Sequence, residues 1–255
     1  MSKVSLVILL SVVVSISAIK AQTPSHIKDN YRLHWNDEFN GTAIDTLKWN
    51  YRDTGNKRNV GYVHEENCFV DGKGNLVIQV CKKDSLYTIG QIATQNTYLT
   101  TFGYFECRAQ MNSQPGPHVA FWLQSPTIHE EKDNPKEFGT EIDIFEYHIA
   151  EGREFVYHNL HWNGYQQKHK STGTKRKING LNKGYHTFGL EWNPNEYIFY
   201  VDGVETWRTS EAISHIAEYM ILSAELTGWG GDYQKAEFPD QVLFDYVRVY
   251  KKITE

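Results

Sequence analysis

Residues 139 to 148 read Gly-Thr-Glu-Ile-Asp-Ile-Phe-Glu-Tyr-His. From Glu141 to Ile144 acids and isoleucines alternate, so a strand here sends Glu141 and Asp143 to one face and Ile142 and Ile144 to the core. The count breaks at Phe145, because the next acid comes one place late, at Glu146. A β-bulge near Ile144 and Phe145 takes up the extra residue and returns Glu146 to the acidic face. Three like charges on one face repel one another. They are either the wet side of a half-exposed strand or a carboxylate pair for glycoside hydrolysis, one acid attacking the anomeric carbon and the other protonating the leaving oxygen.

The flanks of this stretch are strand patterns separated by turn signals. Phe102 to Gln110 alternates, with Tyr104, Glu106, Arg108 and Gln110 on one face and Gly103, Phe105, Cys107 and Ala109 on the other. Pro115-Gly116-Pro117 turns the chain into His118 to Gln124, and Ser125 to Phe138 is a polar stretch long enough to shape a cleft. Further strands are expected at Gly74 to Val80, Ile92 to Gln95, Glu154 to Trp162, Tyr185 to Trp192, Tyr219 to Leu226 and Val242 to Tyr250. Asp202-Gly203 predicts a hairpin between Glu196–Val201 and Val204–Arg208. The one helix expected runs from Ser210 to Glu218. So many short strands with almost no helix predict an all-β sandwich.

A pyranose ring offers a C–H face to a flat apolar surface and hydroxyls to polar neighbours. Trp122, Trp162 and Trp229 are candidate platforms, each also readable as a core aromatic, and Trp229 lies in the glycine-rich stretch Thr227 to Asp232. His158 and His161 are three apart, which puts them on opposite faces of a strand and argues against a shared zinc.

The pattern Glu141-x-Asp143-x-x-Glu146 resembles the signature of glycoside hydrolase family 16, which includes laminarinases, agarases and other endo-β-glycanases. Trp35, Asp37, Glu38, Phe39, Gly41, Asp45 and Trp49 match its N-terminal motif, Ala120-Phe121-Trp122 the motif before the acidic strand, and Phe244 to Tyr250 its last strand. The resemblance implies a concanavalin-A-like β-jelly-roll of two curved antiparallel sheets, with Glu141 as nucleophile, Asp143 as its hydrogen-bonding partner and Glu146 as acid/base. On this assignment the negative charge of Glu141 raises the pKa of Glu146. The resemblance also implies a His near the acid/base at His161, and Asn67 is counted among the substrate-binding candidates. It further implies a structural Ca²⁺ ligated by Asp245, with Glu38 and the Gly74 carbonyl, although a salt-bridged Asp245 is an equal reading. Two positions depart from the laminarinases: His118-Val119 replaces Trp-Pro, and Thr140 replaces the Gly before the first acid.

The 255 residues, 40% hydrophobic and 14% aromatic, suffice for one sizeable core, so one catalytic domain over 22–255 is expected. Lys3 followed by the apolar run Val4 to Ile19, with small residues around Ala18 and Ala21, reads as a secretory signal peptide over 1–21. The mature chain then carries 24 basic and 31 acidic residues, a formal charge of −7, which disfavours nucleic acid as a partner. The basic run Lys168 to Lys177 reads as a solvated loop, or as a surface for an anionic glycan. Cys68, Cys81 and Cys107 leave one disulfide or free thiols open.

The function expected is a secreted or periplasmic, monomeric, retaining endo-hydrolase of a β-linked polysaccharide. It needs no catalytic cofactor and no membrane once the leader is removed. The best single substrate is β-1,3- or mixed-linkage β-glucan. An endo-β-galactosidase on agar-like or lactosamine-type chains is the alternative enzyme, and a glycan-binding protein without catalysis the alternative class.

Overall fold

The computed structural model describes residues 24–253. The expected leader over 1–21 lies outside the described residues. The described chain is two packed antiparallel sheets. In the front sheet the strands follow the order Lys170–Lys177, Phe155–Trp162, Glu141–Tyr147, Pro117–Gln124, Tyr219–Leu226, Leu86–Ala93 and Asn50–Tyr51. In the back sheet Val204–Thr209, Tyr197–Val201, His186–Trp192 and Gly103–Gln110 lead to the long strand Asp240–Lys252. That last strand takes Leu76–Lys83 beside its first half and Tyr31–Asp37 beside its second. Leu76–Lys83 and Leu86–Ala93 form a hairpin that ties the two sheets together.

The core fills the space between the sheets because each strand alternates. Phe105, Cys107 and Ala109 of the back sheet are buried against Phe121, Leu123, Ile142, Ile144 and Leu160 of the front one. The same alternation leaves the other face of the front sheet for the acids. The N-terminal motif is a clamp: Asp37 accepts the Trp49 indole N–H at 2.9 Å and the Phe39 amide at 3.1 Å, holding Phe39 at its left-handed φ of 47°. Asp202 and Gly203 both take positive φ, 51° and 75°, as a two-residue type I′ hairpin requires.

Two expectations need correction. Ser210 to Glu218 is not helical; its backbone groups are taken by side chains from the sheets instead. The Trp192 indole donates to the Ser214 carbonyl, the Ser214 amide donates to the Tyr197 hydroxyl, and the Thr140 hydroxyl donates to the Ala212 carbonyl. The one α-helix among the described residues is the single turn Pro135–Phe138. The basic run is an edge strand, Lys170–Lys177, rather than a loop. Its lysines 170, 175 and 177 pair with Asp133, Glu151 and Glu154, so the run is a charged edge that discourages further strand pairing. Cys68, Cys81 and Cys107 are all free thiols, Cys68 and Cys107 buried in the core.

Candidate active site

The bulge lies where the broken alternation requires it. Against Pro117–Gln124 the acidic strand slips between Asp143 and Phe145, and against Phe155–Trp162 between Asp143 and Glu146. Phe145 is thereby buried in the core against Phe188, and Glu146 turns to the face of Glu141 and Asp143. A bulge leaves a backbone carbonyl without its ladder partner. His158 supplies one, its Nδ1–H donating to the Ile144 carbonyl at 2.7 Å, with Nε2 left to accept from the Thr206 hydroxyl at 2.9 Å. Burial drives this imidazole down to about 4, so it stays neutral. His158 and His161 do point to opposite sides of their strand.

The three acids line a cleft of about 560 Å³ on the outer face of the front sheet. Trp122 forms part of its floor, with its indole N–H on Ser223 at 3.1 Å and the guanidinium of Arg52 5.2 Å from its ring centre. Trp229, 58% exposed, stands at its edge. The turn that presents Trp229 depends on glycine: a Cβ on Gly230 would come within 2.3 Å of the Gly116 carbonyl, the group that accepts the Thr227 amide.

Each acid has its own partners. Glu141 accepts from the Gln124 amide at 3.1 Å and from the Tyr165 hydroxyl. Gln124 is held from behind by Arg52 and by the Tyr219 hydroxyl. Asp143 Oδ2 faces His161 Nε2 at 3.4 Å, a charge contact without hydrogen-bond geometry. Glu146 meets His118 Nε2 at 2.8 Å through one oxygen and the Asn159 amide through the other. The expected bond from Asp143 to Glu141 is thus replaced by Gln124 and Tyr165, which reach Glu141 from the neighbouring strand and from a loop.

The electrostatics follow from these contacts. Burial, then the charge of Glu146, lift Asp143 well above the usual carboxylate range, with Glu141 adding to the rise and His161 opposing it. Burial also raises Glu141, against the pull of His161 and Tyr165. Glu146 moves the other way from the direction expected. Burial pushes it up, but the charge and hydrogen bond of His118 outweigh that and hold it below its ordinary value. His161 is opposed by burial, yet Asp143, Glu141 and Glu146 together raise it to about 9, leaving it a cation at neutral pH.

Of the residues singled out in the sequence, Glu141, Asp143, Glu146, Trp122, His161 and Trp229 share this cleft. Trp162 does not. It has the parity of Val156, His158 and Leu160, packs against the core, and sends its indole N–H to Asp133 at 3.3 Å. Asn67 is also elsewhere, buried with its amide on the carbonyls of Gln79 and Thr88. Two of the expected calcium ligands are held by arginines. Asp245 pairs with Arg108 at 2.5 Å, and both oxygens of Glu38 are taken by Arg248 at 2.9 and 2.7 Å, so a guanidinium already neutralises each acid. Tyr165, Asn159, Gln124 and Arg58 were missed in the sequence. Tyr165 and Arg58 come from irregular or short segments; Gln124 and Asn159 had a detectable signal, since Gln124 shares alternation with Trp122 and Asn159 with His161.

The family model described as Beta-porphyranase A-D, GH16 domain, matches residues 34–252. The chain belongs to glycoside hydrolase family 16. Among its relatives it is 28% identical over 239 residues to the keratan-sulfate endo-1,4-beta-galactosidase of Sphingobacterium multivorum, covering 87% of this chain and 56% of that protein. It is also 28% identical to the beta-glucanase of Rhodothermus marinus, covering 95% of this chain and 93% of the relative. Among solved structures, the laminarinase catalytic domain of Thermotoga maritima MSB8 superposes with a TM-score of 0.76 at 26% identity, covering 88% of this chain and all of that one. The fold is therefore the family's jelly roll. Among the described residues no helix is long and apolar enough to cross a membrane.

Proposed function

We propose that the protein is a retaining, endo-acting hydrolase of a β-linked polysaccharide. The observation that carries the reading is the bulge, which brings Glu141, Asp143 and Glu146 to one face of a groove that also holds Trp122 and Trp229. Glu141 attacks the anomeric carbon while Glu146 hands a proton to the leaving oxygen. A water then returns a proton to Glu146 as its oxygen takes the sugar from Glu141. Two carboxyls on one bulged strand favour the shorter of the two spacings used by glycosidases, about 5–5.5 Å, which leaves no room for an inverting water. Asp143 stands between the two glutamates and faces His161, whose positive charge offsets the crowding of the acids. Tyr165 and Gln124 steady the attacking carboxylate, and Trp122 and Trp229 offer flat surfaces to sugar rings. A purely glycan-binding role would not require all three acids in one cleft.

Two readings of the sugar are supported. The beta-glucanase and laminarinase relatives favour a β-1,3- or mixed-linkage glucan. The porphyranase family model and the keratan-sulfate galactosidase favour a β-galactoside, and so do His118 and Thr140, which stand where laminarinases carry Trp and Gly. We further propose that the chain is exported to the periplasm or medium after loss of residues 1–21 and acts as a monomer. A reducing-end assay across laminarin, lichenan, agarose, porphyran, carrageenan and keratan-type glycans decides between the sugars. On the cleaved glycan, a proton NMR time course is expected to show the β anomer first. Initial appearance of the α anomer, or no cleavage of any of these chains, overturns the reading.

A further inference from the structure

His118 occupies the first inward turn of the strand Pro117–Gln124, with Nε2 2.8 Å from Glu146 Oε1. Both side chains are largely shielded, 11% and 18% exposed, so water competes little for the contact. Every packed element adds to the field at this ring. Glu146 and Asp143 face it from the acidic strand. Glu225, its register partner on Tyr219–Leu226, faces it from the other side, partly neutralised by Arg58 and hydrogen-bonded by the Asn59 amide. His148, just past the acidic strand, lies 6.0 Å away between ring centres and is held neutral by burial and by the His118 charge. Trp229 closes the site with its ring edge-on at 5.9 Å.

We propose that His118 is a positioning and proton-holding partner of Glu146: the two side chains share one proton across the Nε2···Oε1 contact, and this pair, rather than the carboxyl alone, is the acid/base unit. The inference rests on the reading of Glu146 as the acid/base. The proton balance is simple. In the first step the Glu141 carboxylate forms a bond to the anomeric carbon, the glycosidic C–O bond breaks, and the leaving oxygen takes the shared proton through Glu146. The pair is then left as neutral imidazole and carboxylate. In the second step water gives its proton to Glu146 and its oxygen to the anomeric carbon, releasing Glu141 and restoring the shared proton. Burial opposes charge on His118, but Glu146, Glu225 and Asp143 outweigh it and raise the ring above its ordinary value, while His118 lowers Glu146. The proton therefore leaves the pair at the raised value of the His118 ring and not at that of an isolated carboxyl.

Histidine NMR of the full chain tests the pair without reference to turnover. The His118 signal, identified by its loss in His118→Gln, is expected to titrate above 6.5 and to fall by about one unit or more in Glu146→Gln. A midpoint at or below 6.5 that ignores the Glu146 substitution overturns the proposal. On the glycan that the enzyme cleaves, His118→Gln is expected to displace the alkaline limb of kcat/KM, because Glu146 alone then holds the proton. It should also lower kcat roughly tenfold with little change in KM. A dinitrophenyl glycoside, whose leaving group needs no proton, should lose less than twofold. A loss equal at every pH and for both leaving groups would mark His118 as structural only. If no glycan is cleaved, the reading of the cleft as a hydrolase fails in the kinetic arm, while the NMR arm still reports on the pair; if His118→Gln fails to fold, Glu146→Gln carries the test, with His118→Asn identifying the signal.

Discussion

At the residue scale the cleft divides its work between charge and surface. Glu141→Gln keeps the shape and the Gln124 and Tyr165 contacts but removes the attacking charge, so turnover is expected to fall by several powers of ten with the melting temperature nearly unchanged. Near-normal activity in that variant would remove Glu141 from the role of nucleophile. Trp229 makes the opposite case. More than half exposed and touching His118 only edge-on, it contributes little to the core. Trp229→Ala is expected to raise KM several-fold and to leave thermal stability within about a degree, because one exposed platform is lost and no cavity is made. A melting temperature lowered by several degrees would assign it to the core instead.

At the scale of elements, the edge strand Lys170–Lys177 does more than cover the sheet. Gly173 lies opposite Asn159, and a Cβ there would sit 1.9 Å from Asn159 Oδ1 and 2.7 Å from the His158 carbonyl. The strand thus leaves room for the Asn159 amide to reach Glu146. Gly173→Ala is expected to push Asn159 aside and lower kcat about tenfold, while the same change at exposed Ser171 has no effect. The comparison is made by steady-state kinetics with circular dichroism as the control for folding; equal activity in the two variants would free Gly173 from any part in holding the site.

The whole molecule carries one titration that the cleft does not use. Glu218 is 1% exposed, accepts the Thr140 amide at 3.0 Å directly behind the acidic strand, and leaves its second oxygen unpartnered. Burial lifts it to about 8. A carboxyl whose folded value is raised binds its proton more tightly in the folded state. Its stabilising effect is complete below about pH 4.5 and is lost as the pH climbs to about 8, where the loss levels off. Glu218→Gln keeps the acceptor for Thr140 and has no proton to lose. Its melting temperature is expected to match that of the parent near pH 4 and to exceed it by on the order of 5 °C at pH 8. A gap that does not widen between these pH values would show that Glu218 is ionised in the fold.

Local rules in the sequence determined the sandwich, the strand carrying the acids and the bulge within it. A side-chain period of two is an intrinsic property of a strand, and a break in it at Phe145 has few remedies. The Asp202-Gly203 hairpin was legible for the same reason, since it needs only two residues that tolerate positive φ. The tertiary structure alone decided the segment from Ser210 to Glu218, where the side chains of Trp192, Tyr197 and Thr140 claimed backbone groups that a helix would have used. It also decided the partners of the acids. Gln124, Tyr165, Asn159 and His118 come from different strands and a loop, and sequence spacing carries no information about which side chains meet across a sheet. The direction of the Glu146 shift followed from that: a neighbouring Glu141 was visible in the sequence, but the imidazole 2.8 Å away exists only once Pro117–Gln124 lies beside the acidic strand.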